Sequence, residues 1–390
     1  MSRSHGIARA LMLVVAVVTV AAGYAGHIDP RHWAWPALLG LAYPAVAAGA
    51  AALTVVWLLA RQWRLAVVQG AALLLTWPSL AVNMPVHPFA QDLHAAPTSH
   101  DTLRIITFNV NAFNRGNWRV RNKPSLSLRY ILDSGAQVVV LTQAPEHGAP
   151  HDSARSFSTM LQALDSIYPY RSHGSDDVLL FSRYPFERVE ITPLQTGYDV
   201  LNYFKKVQHH YALAYDLQLP GGRQLRVVGT YLHSFGLNLN DRDVFNNVSA
   251  EEKEHDHGAK GMNRELWKMS ITDKLLRAFR LRADESCILR AALDASPPNL
   301  VLCGDFNDTP ASFTYRTLRG DDLRDAYAET ARWPARTFNR YSFAVHIDHV
   351  LYRGALRAVA CEVPKQGDSD HYPVVATLVW DDKNETNHTK

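Results

Sequence analysis

Between Ala10 and Val82 the charged residues are Asp29, Arg31, Arg61 and Arg64, and all four sit at the joints between three apolar runs. The runs cover residues 10–26, 33–60 and 65–82. Crossing a bilayer takes about 20 mostly apolar residues, with a range of about 17–25. The second run meets that comfortably, and the other two lie near the lower limit. The pattern predicts three transmembrane helices over residues 1–82. Trp33, Trp35, Trp57 and Trp63 mark the run ends, where amphipathic rings favour the membrane interface. The alternative for the first run is a signal peptide, with Arg3 and Arg9 as its basic start. Two further runs follow at once, and no clean small-x-small cleavage site precedes a mature domain, which favours retention.

Basic residues in short loops set the orientation. Arg3 and Arg9 precede the first helix, and Arg61 and Arg64 lie in the turn RQWR between the second and third. The loop between the first and second carries Arg31 beside Asp29. The N-terminus and the RQWR turn therefore belong in the cytoplasm. Three crossings then deliver the rest of the chain to the periplasmic or extracellular side, on a bacterial inner (cell) membrane. The runs hold no intramembrane charge, so they read as an anchor and not as a transport path. Residues 83–100 are polar, Pro-bearing and without periodicity, which predicts a linker. Residues 381–390 read as a polar tail.

From residue 101 the pattern changes to short strand-like runs over 103–110, 136–143, 177–185, 209–219, 223–233, 299–307, 346–354 and 372–380. Helical patterns cover 124–134 and about 264–295. Pro220-Gly221-Gly222 is a hairpin candidate between the fourth and fifth strands. Val/Ile/Leu-rich strands without strict alternation are buried on both faces. The reading is an α+β layered sandwich over 101–380, with helices covering two packed sheets.

Composition excludes little. Lys plus Arg number 40 and Asp plus Glu 37, a balance that gives no argument for nucleic-acid binding. Cys287, Cys303 and Cys361 lie far apart without a CxxC pair, so they read as buried reduced thiols rather than a disulfide or thiolate site.

Polar residues recur where strands end. They are Asn109, Gln143, Tyr231 with His233, Asp305 with Asn307, Asp348, and Asp370-His371. The ends of a rigid scaffold are where catalytic side chains tend to sit. Each has an ordinary reading alone. The segment from Asp305 could be an Asx turn, Ser369-Asp370 a cap, and Asp348 a buried ion-pair residue. In order and together they point to one site.

The ordered series TFNVN, GDFND, IDHV and SDHYP resembles the endonuclease/exonuclease/phosphatase superfamily over residues 101–380. That resemblance implies a four-layered α/β sandwich of the DNase I-like kind and a phosphodiester hydrolase that uses a divalent metal, Mg²⁺ or Mn²⁺. It implies that Asp305 orients or deprotonates the attacking water and that Asn307 holds the phosphate. It implies that His371 stabilises charge on a phosphoryl oxygen and that Asp348 fixes the His371 tautomer. Tyr231 would be a further catalytic group, and Asn109 would lie beside metal or phosphate. The implied metal ligands are Asn109, Gln143 and Asp370, with Glu146 as a nearby carboxylate. Such chemistry needs an activated water, a leaving-group acid and charge neutralisation at the phosphoryl oxygens.

Two positions depart from the family pattern. The second strand usually ends Gln-Glu, but here it reads Thr142-Gln143, so an amide stands where a metal carboxylate is expected. The fifth strand usually ends Thr-His-Leu, but here it reads Thr230-Tyr231-Leu232, with His233 two residues on and on the same face. In the polar stretch 236–263, Glu254, His255, Asp256 and His257 could hold a metal but read better as a solvated loop. Lys268, Lys274, Arg277, Arg280, Arg282 and Arg290 on the next helix read mostly as its wet face.

The sequence thus predicts a membrane-anchored hydrolase acting on a lipid headgroup, a nucleotide or DNA, with no obligate protein partner evident. The alternative is a catalytically weak or inactive domain of the same fold that binds phosphate-bearing ligands or a membrane partner.

Overall fold

The computed structural model describes residues 3–90, 101–111, 113, 125–144, 162–172, 178–193, 195–198, 206–209, 211–235, 270–339 and 345–381. Glu146, Lys268 and residues 254–257 lie outside them.

Four N-terminal helices come first: α1 (Arg3–Gly23), α2 (Trp35–Leu59), α3 (Trp63–Leu75) and α4 (Trp77–Asn83). Among the described residues α2 alone is long and apolar enough to cross a membrane by itself. The apolar part of α1, Arg9–Gly23, is shorter. The third apolar run is two helices and not one, because α3 and α4 bend by 77° at Thr76. Pro78 in the first turn of α4 lacks the N–H that would continue the α3 ladder, so the helix breaks there. These helices are sided in an inverted sense. Leu11, Leu13, Val17, Val55, Leu58, Leu59, Val67 and Leu74 face outward, whereas Thr19, Gln69 and Thr76 are buried. The Tyr43 hydroxyl donates to Thr76 Oγ1 at 2.8 Å, and Ser79 Oγ donates to the Gly23 carbonyl at 2.6 Å.

The remainder forms two mixed six-stranded sheets. The first contains β1 (Thr102–Asn109), β2 (Val138–Thr142), β3 (Tyr170–Arg171) and β4 (Val178–Ser182), which pair in the order β3-β4-β2-β1. The second contains β5 (Phe186–Val189), β8 (Ala212–Gln218), β9 (Gln224–Tyr231), β10 (Leu300–Asp305), β11 (Arg324–Asp325) and β12 (Asp348–Arg353), in the order β11-β12-β10-β9-β8-β5. Strands β13 (Leu356–Glu362) and β14 (Val374–Trp380) return to the first sheet beside β1. A separate ribbon pairs β6 (Gln195–Tyr198) with β7 (Lys206–His209). The expected hairpin joins β8 to β9, and Gly221 takes the left-handed φ of 79° that its turn requires.

The core lies between the sheets, where Ile105, Val140, Leu180, Val227, Val301 and Val350 are fully buried. Each such aliphatic side chain contributes roughly 1.5–3 kcal/mol on burial. Outside the first sheet sits α5 (Leu126–Asp133). Outside the second sit α6 (Ile271–Asp294) and α7 (Phe313–Arg319), whereas α8 (Ala326–Thr330) turns Ala326 and Tyr327 into the core between the sheets. This is the helix–sheet–sheet–helix layering expected from the strand pattern. All three cysteines are free, and Cys303 and Cys361 are buried.

One reading of α6 is corrected. Lys274 and Arg282 do not belong to its wet face, since both are buried, Arg282 completely. Arg282 is held inside by a charge partner on another element: its Nε lies 3.1 Å from Asp308 Oδ2. Arg277 and Arg280 are exposed as expected, and Arg290 pairs with Asp294 and Asp322.

Candidate active site between the two sheets

Strand direction and register gather the polar residues at one end of the sandwich. Strands β9 and β10 run parallel with Tyr231 opposite Asp305. Strand β12 runs antiparallel, so its first residue, Asp348, also lies opposite Asp305. In the other sheet, β1 and β2 are parallel and end together at Asn109 and Thr142. Strand β14 is antiparallel to β1, which brings the segment before it, with His371, to the same end.

Three hydrogen bonds then cross from one sheet to the other. Asn109 Nδ2 donates to Asp305 Oδ2 at 2.9 Å. Gln143 Nε2 donates to the Tyr231 hydroxyl. The His371 ring meets Asp348, with Nδ1 2.8 Å from Oδ2, while its Nε2 lies 3.8 Å from Asp305 Oδ2. The second Asp305 oxygen accepts from the Asn307 backbone N–H at 2.8 Å, and Asn307 Nδ2 donates to the Leu232 carbonyl at 2.9 Å. Asn307 and Gln143 both adopt a φ of 52°, as does Asn111 nearby at 42°. Left-handed backbone at residues other than glycine costs of order 1–3 kcal/mol and clusters at functional sites.

Electrostatics divide the labour. Burial pushes the Asp305 carboxyl up, and the Asp348 charge pushes it further. His371 and the hydrogen bonds from Asn109 and Asn307 oppose this, leaving it at about 7. Burial alone would lower the His371 imidazole, but Asp348 and Asp305 overturn that and raise it to about 10. Near neutral pH His371 is therefore a cation aimed at Asp305, and Asp305 is a carboxyl poised to take a proton.

Asp305, Asp348 and His371 bring ligand atoms within 4.8 Å of one another; the two carboxylates can share a metal ion, and the imidazole can join them only after losing its proton. Asp348 Oδ1 is buried without a hydrogen-bond partner, the kind of polar atom a cation satisfies. The two carboxylates are hard oxygen donors, which suit a divalent cation such as Mg²⁺. Of the expected ligands, Asn109 reaches this cluster through its bond to Asp305, with Oδ1 accepting from the Asn111 N–H at 3.0 Å, whereas Gln143 is bonded to Tyr231 and not to the cluster. Asp370 acts on His371 through its charge but lies outside the shared cluster. His233 is exposed, and its backbone is clamped by Glu285 and Arg282.

Residues 106–371, more than half of the chain, match the Endonuclease/Exonuclease/phosphatase family. The chain belongs to that family. Residues 5–83 match a separate domain of unknown function. No curated protein matches the chain. Among solved structures, a member of the endonuclease/exonuclease/phosphatase family from Bacteroides thetaiotaomicron is 12% identical with a TM-score of 0.44, and the match covers 74% of this chain and 98% of that one. The human Nocturnin catalytic domain is 19% identical (TM-score 0.43; 72% and 95% covered). Sphingomyelinase C from Streptomyces griseocarneus is 20% identical (TM-score 0.40; 71% and 99% covered).

Several supports of this family site carry no obvious signal in the chain. Thr337 Oγ1 accepts from the Ile347 and Asp348 N–H groups at 2.9 and 3.1 Å, fixing the start of β12. Phe338 packs edge-on against His371 at 5.1 Å between ring centroids. Ser369 Oγ donates to the Asn109 carbonyl at 2.6 Å and ties the His371 segment to β1. Ser369 stands inside the SDHYP motif, so only its partner was hidden.

Proposed function

We propose that this chain is a membrane-anchored, metal-dependent phosphodiester hydrolase acting outside the cytoplasm. The observation that carries the reading is the His371 ring set between Asp348 and Asp305 at the meeting of the two sheets. Asp305 orients the attacking water or accepts its proton. His371, kept cationic by Asp348, stabilises charge on a phosphoryl oxygen. Asn307 and Asn109 orient phosphate and the Asp305 carboxylate, and Tyr231 lines the same end. Asp305 and Asp348 would hold the divalent metal, with the Asn109 amide beside them; Asp370 and Gln143, which the family resemblance names, stand outside the shared cluster. The metal's contribution is to neutralise phosphoryl oxygens.

The outward Leu and Val of the N-terminal helices, with Thr and Gln bonded between them, support membrane residence, since lipid-embedded helices meet through small and polar residues. In this reading α1, α2 and the bent α3–α4 pair each cross, and the basic loops then assign the hydrolase domain to the periplasmic or extracellular face. Tethering raises the local concentration of surface phosphodiesters and favours lipid headgroups over free nucleotides. The balanced charge disfavours long duplex DNA.

One observation favours a second reading. Gln143 supplies an amide where family members commonly carry a carboxylate, and its nitrogen is spent on Tyr231. A site short of one charge can bind phosphate yet turn it over slowly. Full-length protein in nanodiscs, given bis-p-nitrophenyl phosphate, phospholipids and DNA with Mg²⁺, Mn²⁺ or EDTA, separates the two. Hydrolysis abolished by EDTA supports the enzyme. Phosphate binding without hydrolysis supports the second reading.

A further inference from the structure

The N-terminal helices touch the hydrolase domain at one place of consequence, the segment that follows Asn307. Thr309 Oγ1 donates to the Gly40 carbonyl in α2 at 3.2 Å. Ala311 is buried in a small cluster with Ala22, Tyr43 and Ala47 of α1 and α2. The approach is backbone to backbone. A Cβ on Gly26 would stand 2.7 Å from the Ser312 carbonyl oxygen and 2.8 Å from that of Ala311. One on Gly40 would stand 3.0 Å from the Ala311 oxygen. Arg31, in the loop between α1 and α2, reaches Asp284 on α6 at 3.5 Å.

The same segment is gripped from the domain side. Arg282 of α6 pairs with Asp308 and donates from Nη1 to the His233 carbonyl at 2.9 Å. Thr314 Oγ1 donates to Asp308 Oδ2 at 2.9 Å, and His349 Nε2 contacts the Asp308 carbonyl at 3.2 Å. Residues 305–312 therefore run from the candidate catalytic carboxylate, through the left-handed Asn307, into a slot closed on one side by α6 and on the other by the anchor.

We infer that the N-terminal helices are a seat that fixes the conformation of the segment carrying Asp305 and Asn307, with Gly26 and Gly40 as positioning residues. The consequence for catalysis rests on the hydrolase reading above; the seat itself does not. Strain at Asn307 must be held by its surroundings, and the anchor supplies one wall of them. The region matched only to a domain of unknown function thereby gains a role beyond tethering.

The test uses full-length protein in nanodiscs and compares Gly26→Ala, Gly40→Ala and Thr309→Val with Gly49→Ala. Gly49 lies in α2 with nothing within 4 Å of an added Cβ, so it controls for a methyl group in that helix. Hydrogen exchange over residues 305–312 should quicken at least about fivefold in Gly26→Ala and Thr309→Val, with exchange in β1 and β9 unchanged and Gly49→Ala like wild type. With bis-p-nitrophenyl phosphate, kcat should fall about tenfold or more while KM moves less, as expected when positioning is lost. Thr309→Val exchanges one hydroxyl for a methyl of similar size, so it keeps the test open if Gly26→Ala does not fold. Wild-type exchange over 305–312 in folded Gly26→Ala or in Thr309→Val overturns the seat. Faster exchange there in a protein whose wild type hydrolyses nothing upholds the seat and removes the hydrolase reading instead.

Discussion

His371 Nδ1 stands 2.8 Å from Asp348 Oδ2, and both groups are buried. Asp348 lies opposite Asp305 in the β10–β12 register, so one imidazole spans two carboxylates that the sheet itself has aligned. A buried imidazole would ordinarily shed its proton. Here the flanking charges keep it, and raise the ring to about 10.

Asp348→Asn tests that arrangement. The amide preserves the shape and can still meet the ring, but the charge is gone. His371 should then titrate well below its wild-type value, visible by NMR of the ring protons. Hydrolysis should fall about a hundredfold to a thousandfold, as expected when an orienting carboxylate is lost. An unchanged titration would mean that Asp348 does not control the ring.

Metal and pH should be linked. The folded Asp305 carboxyl holds its proton more tightly than the unfolded one, at about 7 against an ordinary 3.8. Its stabilising contribution is therefore complete below 3.8 and lost as pH rises through 7. A cation competes with that proton and compensates the ionised carboxylate. Mg²⁺ should thus raise the thermal midpoint over EDTA more at about pH 8 than at about pH 6, by roughly 1 kcal/mol or a few degrees. Equal shifts at both values would separate metal binding from Asp305.

His346 and His349 give the opposite pH response. Burial holds both down at about 4. Folded, they bind protons near 4; unfolded, near 6.5. The unfolded chain binds more protons in between, so stability is full above 6.5 and lost as pH falls toward 4. The loss is up to about 3 kcal/mol per ring. His346 stacks on Tyr327 at 4.0 Å, and His346→Phe keeps that stack. The variant should show a shallower fall in thermal midpoint between about pH 7 and pH 4.5, by about half. A slope identical to wild type would acquit His346.

How far the chain announces itself differs from element to element. Strands β1, β2, β9, β10 and β12 are plain in the sequence because fully buried strands read as unbroken Val/Ile/Leu runs, and their polar last or first residues stand out against them. The alignment of Asp348 with Asp305 follows once β12 is antiparallel to β10. Other features depend on contacts that no local pattern encodes. Arg282 looks like any wet-face arginine until Asp308 is found beside it. Thr337 and Phe338 carry no motif, yet they frame Asp348 and His371. The break at Thr76 divides a run whose length alone predicts one helix. Gly26 and Gly40 pass for ordinary small residues of an apolar helix, and only the approach of the Ala311 carbonyl gives them meaning.

Gln143 has the most direct engineering consequence. Gln143→Glu restores the carboxylate common in the family while keeping the side-chain length. The Tyr231 hydroxyl, which now accepts from Gln143, can turn to donate to the new oxygen. Adding one negative ligand should tighten Mg²⁺ about tenfold or more, measured by calorimetry, and raise hydrolysis at limiting metal. No change in affinity would put the metal away from β2.

In the proposed function Asp305 and His371 carry out metal-dependent phosphodiester hydrolysis. The most direct measurement is the steady-state rate of full-length wild type, Asp305→Ala and His371→Ala on bis-p-nitrophenyl phosphate, each with Mg²⁺ or Mn²⁺ and with EDTA. Wild type with metal should exceed either variant at least about a hundredfold, and EDTA should bring it to their level. Equal rates in all three proteins would leave Asp305 and His371 without a catalytic role.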